Sequence, residues 1–236
     1  MSSAESVNST VNNNNSVEHP RYIVIEGPIG VGKTSLCQRL ADHLSADVLL
    51  EQAEENPFLE RFYQNPRSAA LPTQLFFLFQ RARQIQDLRQ SDMFAAQIRI
   101  SDFLMEKDRL FAQVTLDDDE FRLYDQVYSS LTLDTPRPDL VIYLQAPVTT
   151  LMDRVFKRGR RIERNIESSY LKELSEAYTR FFYYYNDSPL LIVNAADLDL
   201  VNNQQHFELL LDRITQIKSG RHYFNPAPFS SKRSNG

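Results

Sequence analysis

Gly27-Pro28-Ile29-Gly30-Val31-Gly32-Lys33-Thr34 fits the pattern G-x-x-x-x-G-K-[ST], a loop whose backbone N–H groups cradle phosphate. Ahead of it runs Tyr22-Ile23-Val24-Ile25-Glu26, an apolar stretch rich in β-branched residues. Behind it, Leu36, Leu40 and Leu44 recur on one helical face. Strand, loop and helix in that order aim several N–H groups and a helix N-terminus at one point, so a polyphosphate is held without large side chains. The segment Gly27, Pro28, Ile29, Gly30, Val31, Gly32, Lys33, Thr34 and Ser35 is therefore the expected nucleotide-binding element. Lys33 is placed to neutralise the β- and γ-phosphates, and the Thr34 hydroxyl to ligate Mg²⁺.

The rest of the 236 residues restricts the setting. Residues 1–20 are mostly Ser, Asn, Val and Glu, without the apolar core of a signal peptide, and read as a disordered leader. Residues 220–236 read as a flexible tail. The intervening 21–219 suffices for one α/β domain. A formal net charge of −5 argues against a general nucleic-acid binder. No uninterrupted apolar stretch is long enough to span a membrane. The single cysteine, Cys37, excludes an internal disulfide and points to the reducing cytoplasm. In the first helix it reads as a small core residue.

Five apolar runs read as strands: residues 22–26, 48–51, 97–101, 140–144 and 190–193. They are apolar without alternation, as in a parallel sheet covered on both faces. Helical patterns separate them at 71–90, 119–131, 147–158, 169–186 and 204–217. Residues 75–79 are hydrophobic all round, which predicts a largely buried helix. The expectation is a doubly wound, five-stranded parallel sheet with helices on both faces. Ligands in such sheets bind at the carboxyl ends of the strands, where Glu26, Glu51 and Asp102 fall.

A phosphate loop alone leaves kinase, ATPase and GTPase open. The guanine-reading N-K-x-D is absent, and the run at 140–144 ends in Gln145-Ala146-Pro147 rather than an acid. Asp102 is the remaining carboxylate for a metal. A second signature spans residues 154–164, with six Arg or Lys in eleven positions and Gly159 among them. Alone it reads as a solvated basic helix end. Beside a phosphate loop it reads as a lid that closes over transferring phosphate.

Four stretches together resemble the deoxynucleoside kinase family in its bacterial branch. They are residues 26–34; the run Glu51-Gln52-Ala53-Glu54-Glu55-Asn56-Pro57-Phe58-Leu59-Glu60-Arg61-Phe62-Tyr63; Thr73-Gln74-Leu75-Phe76-Phe77; and Arg158-Gly159-Arg160-Arg161-Ile162-Glu163. A fifth, residues 195–200, is similar to the family's loop beside the ATP adenine. The likeness covers roughly residues 21–217. It implies a P-loop kinase fold, ATP and Mg²⁺, a deoxynucleoside acceptor and a homodimer.

It also implies roles. Glu51 would take the proton from the nucleoside 5′-hydroxyl, against the alternative of a surface acid beside Glu54 and Glu55. Arg158 and Arg160 would close over the γ-phosphoryl group. Tyr63 and Glu163 match positions that hold the sugar 3′-hydroxyl; on their own they read as a core or rim aromatic and a lid partner of Arg160. Gln74 can grip a base edge with donor and acceptor, or be satisfied within the protein. Phe111 either stacks on the base or packs in the core. Thr34 and Asp102 would face the metal.

One departure stands out. The family carries Asp-Arg-Ser or Glu-Arg-Ser after the third strand, where this chain has Asp102-Phe103-Leu104. The family's Arg steadies the catalytic Glu, and Lys107 and Arg109 are the candidates to replace it. The usual first Asp of the last loop is Ala195. Two rivals remain: a nucleoside-monophosphate kinase, which would need cations where Glu51 and Glu163 stand, and a silent nucleotide-binding module.

Overall fold

A computed structural model describes residues 20–92, 98–131 and 135–225. Strand β1 (Tyr22–Glu26) leads through the loop into α1 (Lys33–Leu44) and β2 (Asp47–Leu49). A 3-10 turn, Ala53–Glu55, precedes α2 (Leu59–Gln64) and the long α3 (Pro66–Asp92). Then follow β3 (Arg99–Ser101), α4 (Lys107–Thr115), α5 (Asp118–Leu131) and β4 (Leu140–Gln145). Helix α6 (Val148–Arg158), a 3-10 turn Arg161–Glu163, α7 (Ser168–Tyr184), β5 (Leu190–Asn194), α8 (Gln204–Gln216) and β6 (Arg221–Phe224) complete the chain.

All pairings are parallel, in the order β2-β3-β1-β4-β5-β6. The chain leaves central β1 toward one edge, returns through β3 and then crosses to β4. Crevices open where the winding direction changes, beyond the carboxyl ends of β1 and β3. Successive residues of β1 serve opposite faces. Ile23 and Ile25 pack with Leu36, Leu40, Phe207 and Leu210 from α1 and α8. Val24 packs with Leu110, Leu174, Tyr178 and Phe182 from α4 and α7. Burial on both faces is why these strands read as unbroken apolar runs.

The sheet has six strands rather than the five expected. The sixth, β6, lies in the stretch read as a flexible tail. It is a short edge strand, half exposed, with no apolar run to announce it. Arg221 fixes it by donating to the carbonyls of Phe182, Tyr183 and Tyr185 at 2.9, 2.8 and 3.1 Å. Those are carbonyls that the end of α7 leaves without helical partners. A second correction concerns α3, which leaves Phe79 53% exposed although the run around it is apolar on every side. The expected leader, Pro20 apart, lies outside the described residues.

Candidate active site

Three carboxylates gather at the strand ends. Glu26 closes β1, Glu51 follows β2 by two residues, and Asp102 directly follows β3. Asp102, 2% exposed, joins two of the expected elements. Its Oδ2 accepts the Thr34 hydroxyl at 2.5 Å, and its Oδ1 accepts the backbone N–H of Glu51 at 2.7 Å. Glu26, fully buried, accepts N–H bonds from Gly27 at 3.0 Å and Leu104 at 2.6 Å, and the Tyr178 hydroxyl at 2.9 Å.

The loop is shaped by close approaches. Gly27 has φ +146°, and a Cβ there would stand 2.4 Å from the Leu144 carbonyl oxygen. Lys33 Nζ donates to the carbonyls of Gly27 (2.7 Å) and Pro28 (3.3 Å). Burial lowers its pKa and the nearby Lys107 lowers it further, against the pull of Glu26, Glu51 and Asp102.

Glu51 sits between two cations. Arg81 is ion-paired with Oε1, and Lys107 Nζ lies 3.1 Å from Oε2. Burial pushes the carboxyl up, but Arg81, Lys107 and Lys33 outweigh it and hold it at about 2, below the ordinary 4.5. Arg81 also pairs with fully buried Asp108, and Lys107 lies 3.6 Å from Glu26 Oε1. Buried charge alternates along Asp108, Arg81, Glu51, Lys107 and Glu26. Arg109 takes no part, being half exposed and paired with Asp125 at 2.8 Å.

Two cavities meet here, and Gly30 and Arg158 line both. The larger, about 710 Å³, is walled by Gly30, Val31, Gly32, Ser35 and residues 195–202. Arg154 ties its walls together, donating to Val31 at 3.2 Å and Ala195 at 2.8 Å. The smaller, about 90 Å³, brings together Ile29, Lys33, Thr34, Glu51, Tyr63, Gln74, Asp102, Phe111, Arg158, Arg160 and Glu163. Gly27 and Pro28 line neither cavity. One wall of the smaller cavity is the basic segment from the end of α6, through Arg158, Arg160 and Glu163. Arg160 reaches Glu54 at 3.3 Å and Arg161 reaches Glu60 at 3.3 Å, both exposed pairs of the weak kind.

The residues expected to touch an acceptor already have partners. Gln74, 3% exposed, donates to the Thr115 hydroxyl at 3.1 Å. Glu163 is held by Arg158 at 2.6 Å. Tyr63 packs against Phe62 and Tyr170, and burial, with Tyr170 and Glu163 nearby, raises its phenol pKa. Phe111 meets Tyr178 edge to face. Sequence reading missed Arg81 and Asp108. Arg81 follows Gln74 by seven residues, two helical turns along the same face of an apolar helix, and that spacing was the available signal.

The oxygens of Thr34 and Asp102 suit a hard cation such as Mg²⁺. No group of three or more His, Cys, Asp or Glu able to hold a metal exists among the described residues. The fit is therefore to an ion held by one or two protein oxygens plus phosphate, as Mg²⁺ commonly is. No helix among the described residues is long and apolar enough to cross a membrane.

Residues 23–218 match the family model described as deoxynucleoside kinase. A deoxyguanosine kinase of Bacillus subtilis is 33% identical over 200 residues, covering 83% of this chain and 97% of that protein. A deoxyadenosine kinase of Lactobacillus acidophilus is 30% identical, covering 83% and 95%. A deoxyadenosine kinase of M. mycoides, solved with the products dCMP and a flexible dCDP, superposes with a TM-score of 0.70 at 28% identity, covering 81% and 97%.

Proposed function

The chain belongs to the deoxynucleoside kinase family, and on that premise we propose that it transfers the γ-phosphoryl group of ATP to the 5′-hydroxyl of a deoxynucleoside. The observation that carries the reading is the sharing of Asp102 between Thr34 and Glu51. It supports the reading because the Glu51 carboxylate, held ionised by its neighbouring cations, lies beside the phosphate loop in a cavity that Asp102 and Glu163 also line.

Glu51 takes the hydroxyl proton. The 5′-oxygen forms its bond to the γ-phosphorus as the bond to the β,γ-bridging oxygen breaks, and ADP leaves. Lys33 exchanges its loop carbonyls for phosphate oxygens. Arg158, at the junction of the cavities, and Arg160 neutralise charge on the transferring group, a role worth ~10³–10⁵ in rate. Thr34 and Asp102 would hold Mg²⁺, which would supply neutralisation of phosphate charge. Tyr63 and Glu163 hold the sugar 3′-hydroxyl. Gln74 meets the base, with Arg81 lining the same cavity, and Phe111 packs beside it. The names of the relatives favour deoxyguanosine and deoxyadenosine as first acceptors. The domain runs from residue 21 through β6, the assembly is a homodimer, and the setting is cytoplasmic.

The test supplies the purified protein with ATP and Mg²⁺, and offers the four deoxynucleosides and their four monophosphates separately. The expected result is a deoxynucleoside 5′-monophosphate and ADP from at least one nucleoside, with the monophosphates inert. Phosphorylation of a monophosphate, or ATP binding without transfer to any acceptor, overturns the reading.

A further inference from the structure

Glu51 is tied to the phosphate loop at both of its ends. Its backbone N–H reaches the loop's last residue through Asp102 and the Thr34 hydroxyl. Its side chain reaches the loop's first residue by another route. Oε2 meets Lys107 Nζ at 3.1 Å, Lys107 lies 3.6 Å from Glu26 Oε1, and Glu26 Oε2 accepts the Gly27 N–H at 3.0 Å.

We propose that Lys107 is a positioning residue that keeps the Glu51 carboxylate in register with the phosphate loop through Glu26, an inference that rests on the reading of Glu51 as the base. Lys107 is 2% exposed in the first turn of α4. A cation at that end of a helix opposes the helix dipole, and a buried ammonium is costly without partners. Stability alone therefore does not account for it, whereas two carboxylates converging on one Nζ do. Glu26 is a fixed anchor, since two backbone N–H groups and the Tyr178 hydroxyl hold it in place. Arg81 holds the other oxygen of Glu51, but its second partner is buried Asp108 on α4, so it does not link the carboxylate to the loop. Among the described residues, Lys107 alone bridges the Glu51 carboxylate to Glu26.

The test uses Lys107→Met, Lys107→Arg and Glu26→Gln in the full-length protein. A small misplacement of a reacting group costs about 10²-fold in rate. Lys107→Met is expected to lower kcat by about that factor while KM for nucleoside and ATP stays within about threefold. Lys107→Arg is expected to recover most of the loss. Glu26→Gln, which removes the charge facing Lys107 and one of the two acceptor oxygens and leaves Lys107 beside Glu51, is expected to lower kcat in the same way. An unchanged kcat, or a loss confined to KM, overturns the proposal. If Lys107→Met does not fold, the kcat and KM of Glu26→Gln decide. If the wild type transfers nothing, the kinase reading fails on its own account. The tether is then read from a crystal structure of Lys107→Met: a carboxylate displaced from its wild-type place supports it, and an undisturbed one overturns it.

Discussion

The guanidinium of Arg81 is ion-paired with the carboxylate of Glu51, thirty residues earlier, with side-chain exposures of 4% and 18%. The proposed base is thus ionised and fixed before any substrate arrives. Glu51→Gln keeps the shape and removes the charge. The expected result is a fall in kcat of ~10²–10⁴, the usual worth of a general base, with ATP binding retained by calorimetry. The variant also leaves Arg81 and Lys107 short of one carboxylate. Breaking a buried pair in this way is expected to cost about 3 kcal/mol in urea unfolding at neutral pH.

The same clamp fixes a pH dependence. The Glu51 carboxyl lies at about 2 in the fold against an ordinary 4.5, because the neighbouring cations outweigh burial. A lowered carboxyl pKa contributes stability that is complete above the unfolded value and is lost as pH falls through the folded value. In the metal-free protein, the stability margin of wild type over Glu51→Gln should stay level from pH 8 to 5 and shrink from 4.5 toward 2. Urea unfolding at stepped pH, followed as far down as the fold persists, measures it. A margin that shrinks between pH 7 and 6 contradicts the assignment.

Arg158 lines both cavities and is held by Glu163 through both carboxylate oxygens at 2.6 Å. Its truncation removes a charge at the junction and frees a carboxylate that is 7% exposed. Arg158→Ala is expected to lower kcat by about 10³ and to raise KM for the nucleoside, since Glu163 loses its support. Steady-state kinetics against each substrate in turn checks both parts.

Sequence made the sheet legible where burial was two-sided. Residues such as Ile23, Val24 and Ile25 leave no polar alternation, and strand-end acids then mark the crevice. The positions of Glu51, Asp102 and the basic run were readable because each follows an element in chain order. Arg81 offered only its spacing from Gln74, and Asp108 offered nothing, because their pairing is a contact between α3 and α4. The choice between Lys107 and Arg109 had the same character. Two positions separate them along α4, and that rotation sends one to Glu51 and the other to Asp125. Strand β6 escaped notice because its support comes from the end of α7, some forty residues away.

That support gives a fourth prediction. Arg221 makes three bonds to the carbonyls of Phe182, Tyr183 and Tyr185, and among the described residues β6 pairs with β5 alone. Bonds from a charged donor are worth about 1.5–3 kcal/mol in sum when the carbonyls can fall back on water. Arg221→Ala is expected to lower stability by about that amount and leave KM for ATP unchanged, because β6 lies at the far edge from the loop. Thermal unfolding and a kinase assay on the same preparation test the two halves.

The three loop glycines should separate fold from function. At Gly27 a Cβ would meet the Leu144 carbonyl oxygen at 2.4 Å, and at Gly30 the Leu151 carbonyl oxygen at 2.7 Å. Both neighbours are backbone, so neither can turn aside. At Gly32 nothing lies within 4 Å, and only the positive φ of +106° opposes a side chain. Strain of that kind costs about 1–3 kcal/mol. Gly27→Ala and Gly30→Ala should therefore unfold at lower urea than Gly32→Ala, because clash adds to strain. Gly32→Ala should fold, yet bind ATP more weakly, since its new methyl group stands in the open space where the loop meets phosphate. Unfolding midpoints and ATP calorimetry on the three variants decide this. Equal stabilities would mean that the close approach to β4 and α6 does not constrain the loop.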